Sequence, residues 1–437
     1  MDSHIHNHFK LRNSVHELEI LRQFRIRKII GAYATYALLF ISTLLIFYKS
    51  FSFISGINII KHNPPSVDFK VTAEIKDPAQ KGYLLLSPRI PNDLQDGKLV
   101  IIDLSGNIIL EKPINGIASD FRQWKIDGHT WYSYLVYDRN ACQVMAALGS
   151  SRHAVILDSA LREIRQIHLM PFNDITTSKK QDLDHHDFIL LSLDHYITIA
   201  SYPKIVHNIP RTLSGAAYSN VAVPVIQEVK NGAVVWQWDA SDYPEFYNTS
   251  VRGNDFSNTA KVQDYMHINS IFLDPRDGNL IVSFHNLDQV VKINRPTGDI
   301  IWRLGGKNSD FPMTADTKFY NQHNATLTDN NQTLLILDNG EKNKRPYSRV
   351  LEFKLNENSK YITSFKSYDI PGKFIENQGS VQKIGGDYFI CGGDANYFLR
   401  NNAATGAKKI KMDYNCSSYR SYYVDDITGI KVNNKTN

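Results

Sequence analysis

The sequence predicts an all-β chain, a six-bladed β-propeller preceded by one N-terminal transmembrane helix. Three observations lead there. A strand–turn–strand unit recurs six times, and aromatic residues are abundant, with 23 Tyr and 21 Phe. A single uncharged apolar run stands near the start. Frequent Asn, Asp and Gly interrupt the other apolar runs, which favours many short strands over long helices.

The N-terminal part comes first. Ile29 to Tyr48 is a mostly apolar run of 20 residues without charge, enough helix to cross about 30 Å of hydrocarbon. Lys10, Arg12, Arg22, Arg25, Arg27 and Lys28 precede it, and only Lys49 and Lys61 follow before the first proline pair. That asymmetry predicts a single-pass inner (cytoplasmic) membrane protein with its N-terminus in the cytoplasm and its C-terminal domain periplasmic or otherwise extracytoplasmic. The expected parts are a cytoplasmic arm over 1–28, a signal anchor over 29–48, a linker over 49–70 and a propeller over 71–437. A cleaved signal peptide is the rival, disfavoured by the long charged leader and the missing small-x-small site. Residues 1–61 hold 8 Lys+Arg against 3 Asp+Glu, so the net charge of +5 resides there and the rest is neutral. No basic stripe with interleaved aromatics argues for nucleic acid as a partner.

The repeat unit follows the linker. Its copies are Leu99–Leu110, Ala154–Ile167, Ile226–Trp238, Val291–Leu304, Val350–Phe365 and Phe398–Met412. Most copies have a polar turn between alternating apolar residues, as in a hairpin. Their spacing of roughly 45 to 75 residues is near or above that of propeller blades. Further strands lie between them: Gly82–Ser87, Trp131–Tyr137, Phe188–Leu193, His195–Ser201, Asn279–Phe284, Thr333–Leu337 and Tyr388–Cys391. A pair of β-sandwiches is the alternative, but no linker divides residues 66–437. Trp236, Trp238 and Trp302 fall at matching places and read as blade-packing residues.

Polar groups with chemistry cluster at strand ends. Asp184-His-His186-Asp187 precedes an apolar strand, as do His267 with Asn269, His323 and Arg349. His285 and Asn286 follow one strand, and Asp338 and Asn339 follow another. A lone histidine beside a strand is usually structural, but four or more with an arginine and amides shift the balance. Such a set suits sulfuryl transfer, in which negative charge gathers on equatorial oxygens during in-line attack. A neutral histidine can deprotonate a phenol or attack sulfur, and buried aromatics can sandwich an aryl ring.

Residues from about 80 to 425 resemble the arylsulfotransferase family, whose members move a sulfuryl group between phenols without a nucleotide sulfate donor. The resemblance rests on Asp184-x-His186-Asp187-Phe188, His267-Ile-Asn269-Ser270-Ile271, Thr297-Gly-x-Ile-Ile-Trp302-x-Leu-Gly-Gly306, Gln322-His323-x-Ala325, Asp338-Asn339-Gly340, Ser348-Arg349, Gly379-Ser-x-Gln382 and Ser418-Tyr419-Arg420. It implies a six-bladed propeller with its site at the central channel. It also implies His267 as base or nucleophile, His323 as second histidine and proton carrier, and Arg349 as oxygen clamp. His186, Asn269, His285, Asn339 and Arg420 would be substrate-binding groups. The implied partners are a small-molecule aryl sulfate and a phenol, with no cofactor and no metal. This chain departs from the family's studied bacterial enzymes in having no histidine after His323, where they carry a covalent nucleophile. It also has His285 where an arginine is common. A non-catalytic, membrane-tethered propeller and a hydrolase on the same fold are the rival functions.

Other motifs have plain readings. Gly305-Gly306 lacks the third glycine and following helix of a nucleotide loop and reads as a tight turn. Asp274-Pro-Arg-Asp277-Gly278-Asn279 lacks the remaining ligands of a calcium loop and reads as a hairpin turn. Cys391 and Cys416 either bridge neighbouring strands or remain free buried thiols, and no Cys/His spacing suggests zinc.

Overall fold

The computed structural model describes residues 68–77, 81–89, 96–137, 152–177 and 182–430. The expected membrane segment 29–48 and Cys142 lie outside them. No helix among the described residues is long and apolar enough to cross a membrane.

Six antiparallel sheets make a six-bladed propeller, as the repeat spacing predicts. Strand β1 (Val71–Ile75) opens the chain but serves as the outer edge of the last blade. Strands β2 (Tyr83–Arg89), β3 (Asp96–Asp103) and β4 (Ile108–Asn115) run outward in the first blade. The second holds β5 (Ile117–Ile126), β6 (His129–Tyr137), β7 (Arg152–Leu157) and β8 (Glu163–Ile167). The third holds β9 (Phe188–Ser192), β10 (His195–Val206), β11 (Ser219–Lys230) and β12 (Ala233–Asp239). The fourth comprises β13 (Ile268–Leu273), β14 (Leu280–Phe284), β15 (Gln289–Ile293) and β16 (Ile300–Gly305). The fifth comprises β17 (His323–Thr328), β18 (Thr333–Asp338), β19 (Arg349–Asn356) and β20 (Tyr361–Asp369). The sixth has β21 (Ser380–Ile384), β22 (Asp387–Cys391), β23 (Tyr397–Asn402) and β24 (Lys408–Tyr414), with β1 outside it. The last strand, β25 (Ser417–Val424), pairs with β2 and becomes the inner strand of the first blade. The ring is therefore closed by hydrogen bonds between the two ends of the domain, in two neighbouring blades.

The burial pattern explains why these residues form these strands. The second strands β14, β18 and β22 are buried along their whole length, and they read as continuous apolar runs. The outer strands β4 and β20 alternate between exposed and half-buried positions, which suits an edge that faces water. The turn between β11 and β12 is Asn231-Gly232, with φ of 52° and 77°. Both positive angles match the tight hairpin turn whose twist fits the flanking strands. A Cβ on Gly232 would touch nothing within 4 Å, so conformation rather than space calls for glycine there.

The cores lie between adjacent blades. Trp238 (2% exposed) stacks on Tyr243, and Trp302 (1%) packs edge-on against Phe311. Both are the blade-packing residues the sequence suggests. Gly305 and Gly306 have φ of 87° and 67°, so they form a turn. The Asp274 carboxylate accepts hydrogen bonds from Lys292 Nζ at 2.8 Å and Arg276 Nε at 2.9 Å, which staples the turn between β13 and β14. Cys391 and Cys416 are buried and unbridged. Of the two readings left open by the sequence, the free-thiol one holds.

Phe353 on β19 is fully buried, with ring neighbours Phe319 at 6.3 Å and Phe365 at 5.0 Å. Phe353→Ala is expected to cost about 3–5 kcal/mol in urea unfolding, because close-packed neighbours collapse only partly into the space. Both described thiols should alkylate in denaturant without reductant; resistance would show a bridge.

Candidate functional site

The candidate site is built where several strands begin and end together. His186 sits two residues before β9, His267 immediately before β13, and His323 is the first residue of β17. These are the inner strands of three successive blades. His285 and Asn339 follow β14 and β18, the antiparallel neighbours of β13 and β17. An antiparallel neighbour ends where its partner begins, so all five groups reach one face of the propeller.

The imidazoles form a row. Ring centroids are 4.9 Å apart between His186 and His267, 5.5 Å between His267 and His285, and 5.2 Å between His285 and His323. His185 extends the row, 4.1 Å from His186. The sequence places His267 and His323 together, and the row brings them to either side of His285. His267 has φ of 53°, a left-handed backbone that side chains rarely adopt. The turn is held by the His285 amide donating to the His267 carbonyl at 2.9 Å, and the Asn286 amide donating to the Met266 carbonyl at 2.9 Å. Strain of this kind gathers at functional sites.

Each ring in the row from His186 to His323 has its Nδ1 beside an oxygen. His186 contacts Asp184 Oδ1, closely. His267 meets Asp264 Oδ2 at 2.6 Å. His285 meets Asn286 Oδ1 at 2.9 Å, and His323 lies 3.0 Å from both Asn339 Oδ1 and the Asn321 carbonyl. These acceptors assign the proton to Nδ1 and leave Nε2 as the reactive atom. Asn339 is itself fixed, donating from Nδ2 to the carbonyls of Ile375 (3.2 Å) and Gln378 (2.9 Å).

The environments drive proton affinity apart. Burial pushes His323 down to about 3, only partly opposed by its bond to Asn339, with His186 and Arg420 adding to the fall. Burial likewise holds His285 well below the usual histidine range, reinforced by His323 and His267. For His267 burial also acts downward, but the Asp264 carboxylate outweighs it, so its affinity is raised. His267 thus holds a proton more tightly than a free histidine does, while His323, two rings away, is kept neutral.

The arginines do other work. Arg349 donates to Asp338 Oδ2 from Nε (3.1 Å) and Nη2 (2.9 Å), and to the carbonyls of Asp316 (3.1 Å) and Lys318 (2.8 Å). Arg345 shares the same carboxylate. The structure does not bring the Arg349 guanidinium onto the histidine row; it sits one strand further out, on β19, and clamps the β16–β17 loop. Arg420 is fully buried on β25. It bonds Asp120 Oδ1 (3.0 Å), Asp187 Oδ2 (3.0 Å) and the Asn269 carbonyl (2.7 Å). Arg122 pairs with the same two aspartates, at 3.1 and 2.9 Å. Asn269 is also buried and donates from Nδ2 to the Gln322 carbonyl at 2.8 Å.

Sequence reasoning passes over several neighbours. Tyr419 lies 5.5 Å from the His186 ring and 6.1 Å from His185, and walls the row. Arg152, at the start of β7, is close enough to act electrostatically on Asp184, His185, His186 and His267. Tyr419 stands inside the quoted Ser418-Tyr419-Arg420 segment, and Asp264 stands three residues before His267, so both carry a signal. Arg152 is an isolated arginine in sequence and carries none.

With this geometry described, the chain can be placed. The profile of the arylsulfotransferase (ASST) family matches residues 72–428. The chain belongs to that family. No curated relative matches the sequence. Among solved structures, a protein of unknown function from Bacteroides caccae is similar at 13% identity and TM-score 0.46, covering 79% of this chain and 100% of its own. A putative 6-phosphogluconolactonase from Bacteroides fragilis is similar at 9% identity and TM-score 0.39, covering 79% of this chain and 99% of its own. A virginiamycin B lyase from Staphylococcus aureus gives 11%, 0.35, 79% and 99% for the same quantities. None of these three likenesses carries a functional argument.

Two results are expected here. His285 and His323 bind protons more weakly folded than unfolded, where the value is 6.5. The unfolded chain therefore takes up more protons below that value, and these two groups make stability fall as pH drops beneath about 6.5. Thermal melts across pH should show that fall, shallower in His323→Asn. Asp264→Asn should lower the proton affinity of His267, since its strongest upward influence is removed and only the weaker pull of Asp184 is left against burial and Arg152; histidine NMR titration reads it.

Proposed function

We propose that this chain transfers a sulfuryl group from an aryl sulfate to a phenol without a nucleotide donor, with His323 and His267 in opposite protonation roles. The observation that carries the reading is the pair itself: a neutral imidazole and a carboxylate-backed one of raised proton affinity, two rings apart on one row. Environments that separate two such groups mark an acid and a base. The family match supplies the reaction class.

In this reading His323 Nε2 accepts the proton of the incoming phenol as its oxygen attacks sulfur. The bond from sulfur to the departing phenolate breaks, and His267 Nε2–H protonates that oxygen. Donor sulfate and acceptor phenol become donor phenol and acceptor sulfate, with no net proton gained. His285, between the two rings, spans the gap across which the proton returns. Developing charge on the sulfuryl oxygens faces the His267 imidazolium, and Arg152 adds a positive charge nearby. No histidine follows His323, so the direct route needs no later covalent nucleophile. The basic arm and the apolar run 29–48 suit export of the propeller on a membrane anchor, which we include in the proposal.

A chromogenic aryl sulfate with a phenol acceptor is expected to give acceptor-dependent phenol release. His323→Ala and His267→Ala should each lower kcat about 10²–10⁴-fold in folded protein. Arg349→Ala should act differently, destabilising by about 1–3 kcal/mol as the β16–β17 loop loses its clamp, while Arg345 still pairs with Asp338. Release that ignores the acceptor would reassign the chain as a hydrolase, and no release across several acceptors would leave a binding propeller.

A further inference from the structure

We propose that Asp184, His185 and His186 form a binding site for a divalent transition-metal ion of the zinc class, at the end of the histidine row. Their donor atoms lie within 4.8 Å of one another. Both Nδ1 atoms approach the same carboxylate oxygen: His185 Nδ1 stands 3.8 Å from Asp184 Oδ1, and His186 Nδ1 touches it. An ion bound at about 2.0–2.2 Å from each donor displaces the proton that His186 Nδ1 holds against Asp184, and needs side-chain shifts on the order of 1 Å to enter between them.

The donor set selects the metal. Two imidazole nitrogens and one carboxylate oxygen suit zinc, copper or nickel, whereas magnesium and calcium take all-oxygen sets. The outer contacts are those a ligating group has. Asp184 Oδ2 accepts from Ser201 Oγ at 2.7 Å, which fixes the carboxylate plane and leaves Oδ1 toward the rings. The His186 amide also donates to Asp184 Oδ1 at 3.0 Å, so the tripeptide curls around one oxygen. Asp184 and His186 are nearly buried (3% and 7% exposed), which shields an ion from competing water. Tyr419 closes one side, and remaining positions are left for water or an anionic ligand.

Charge is consistent with occupancy. Asp184 and Asp264 are the carboxylates next to the rings, and Arg152 is the opposing cation in electrostatic reach. Arg349 spends its nitrogens on Asp338 and carbonyl oxygens, and Arg420 commits both Nη atoms to Asp120, Asp187 and the Asn269 carbonyl, which leaves a bound ion to carry positive charge toward an anionic ligand. This site does not depend on sulfuryl transfer. A chain that binds zinc and transfers nothing still supports it, and a chain that transfers without binding zinc overturns it while leaving the transfer reading intact.

The test uses the full chain, stripped with chelator and titrated with Zn²⁺ alone by calorimetry, with metal content read after desalting. One ion per chain is expected. Asp184→Asn, His185→Ala and His186→Ala should each weaken binding about 10–100-fold or more. His207→Gln, at an exposed histidine bonded to the Ala217 carbonyl, should not. Where a variant fails to fold, one equivalent of Cu²⁺ on the unaltered chain is read by electron paramagnetic resonance, and coupling to two imidazole nitrogens is expected. No stoichiometric zinc, zinc binding indifferent to all three substitutions in folded protein, or copper without nitrogen coupling would each overturn the assignment.

Discussion

Four charged side chains share the axis of this propeller, and the rest of the structure depends on their pairing. Arg122 and Arg420 each meet both Asp120 and Asp187. Tyr422 joins through its hydroxyl, donating to Asp120 at 2.6 Å. Asp120 and Arg122 come from β5, Asp187 from the segment before β9, and Arg420 and Tyr422 from β25. Arg420 also reaches the carbonyl of Asn269 on β13. Ions removed from water are costly unless paired, and each charge of this knot meets its opposites only when four inner strands converge. Through Arg420 it is tied to the Asn269 carbonyl, and the adjacent Tyr419 stands beside His185 and His186.

Above that knot, chemistry arises from unequal partners rather than from unusual residues. The imidazoles from His186 to His323 are each anchored through the same ring atom, with His186 and His323 buried and His267 and His285 half-buried. What differs is the oxygen opposite. A carboxylate beside His267 favours the charged ring, while an amide and a carbonyl beside His323 only orient a neutral one. A single fold can thus prepare both halves of a proton exchange from one residue type.

The sequence is most legible where strands obey simple periodicity. Each of the six repeat units falls on the third and fourth strands of a blade, from β3–β4 through β23–β24. Turn chemistry such as Asn231-Gly232 marks them. The second strands are legible as apolar runs. The inner strands are the hardest to read, because function and closure fill them with polar groups. Strand β25 reads Ser-Ser-Tyr-Arg-Ser-Tyr-Tyr-Val, and β5 carries Asp120 in a left-handed bulge beside Arg122. His267 and His323 were findable because each begins a strand inside a motif. The partner of Arg349 was not, since a guanidinium on β19 could turn toward the channel or toward Asp338, and only packing decides. The spacing of Cys391 and Cys416 was similarly silent about whether the thiols meet.

Closure by β25 has a consequence for how the molecule is made. The strand that completes the first blade leaves the ribosome after every other described strand of the ring, and its partner β2 is among the first. Until Ser417–Val424 emerges, Asp120 and Asp187 lack Arg420, and the nascent ring stays open with β2 unpaired on its inner side. The ring therefore closes only once its last strand has been made, after all the others. Until then the open inner edge of β2 is where an incomplete chain is exposed to wrong pairing.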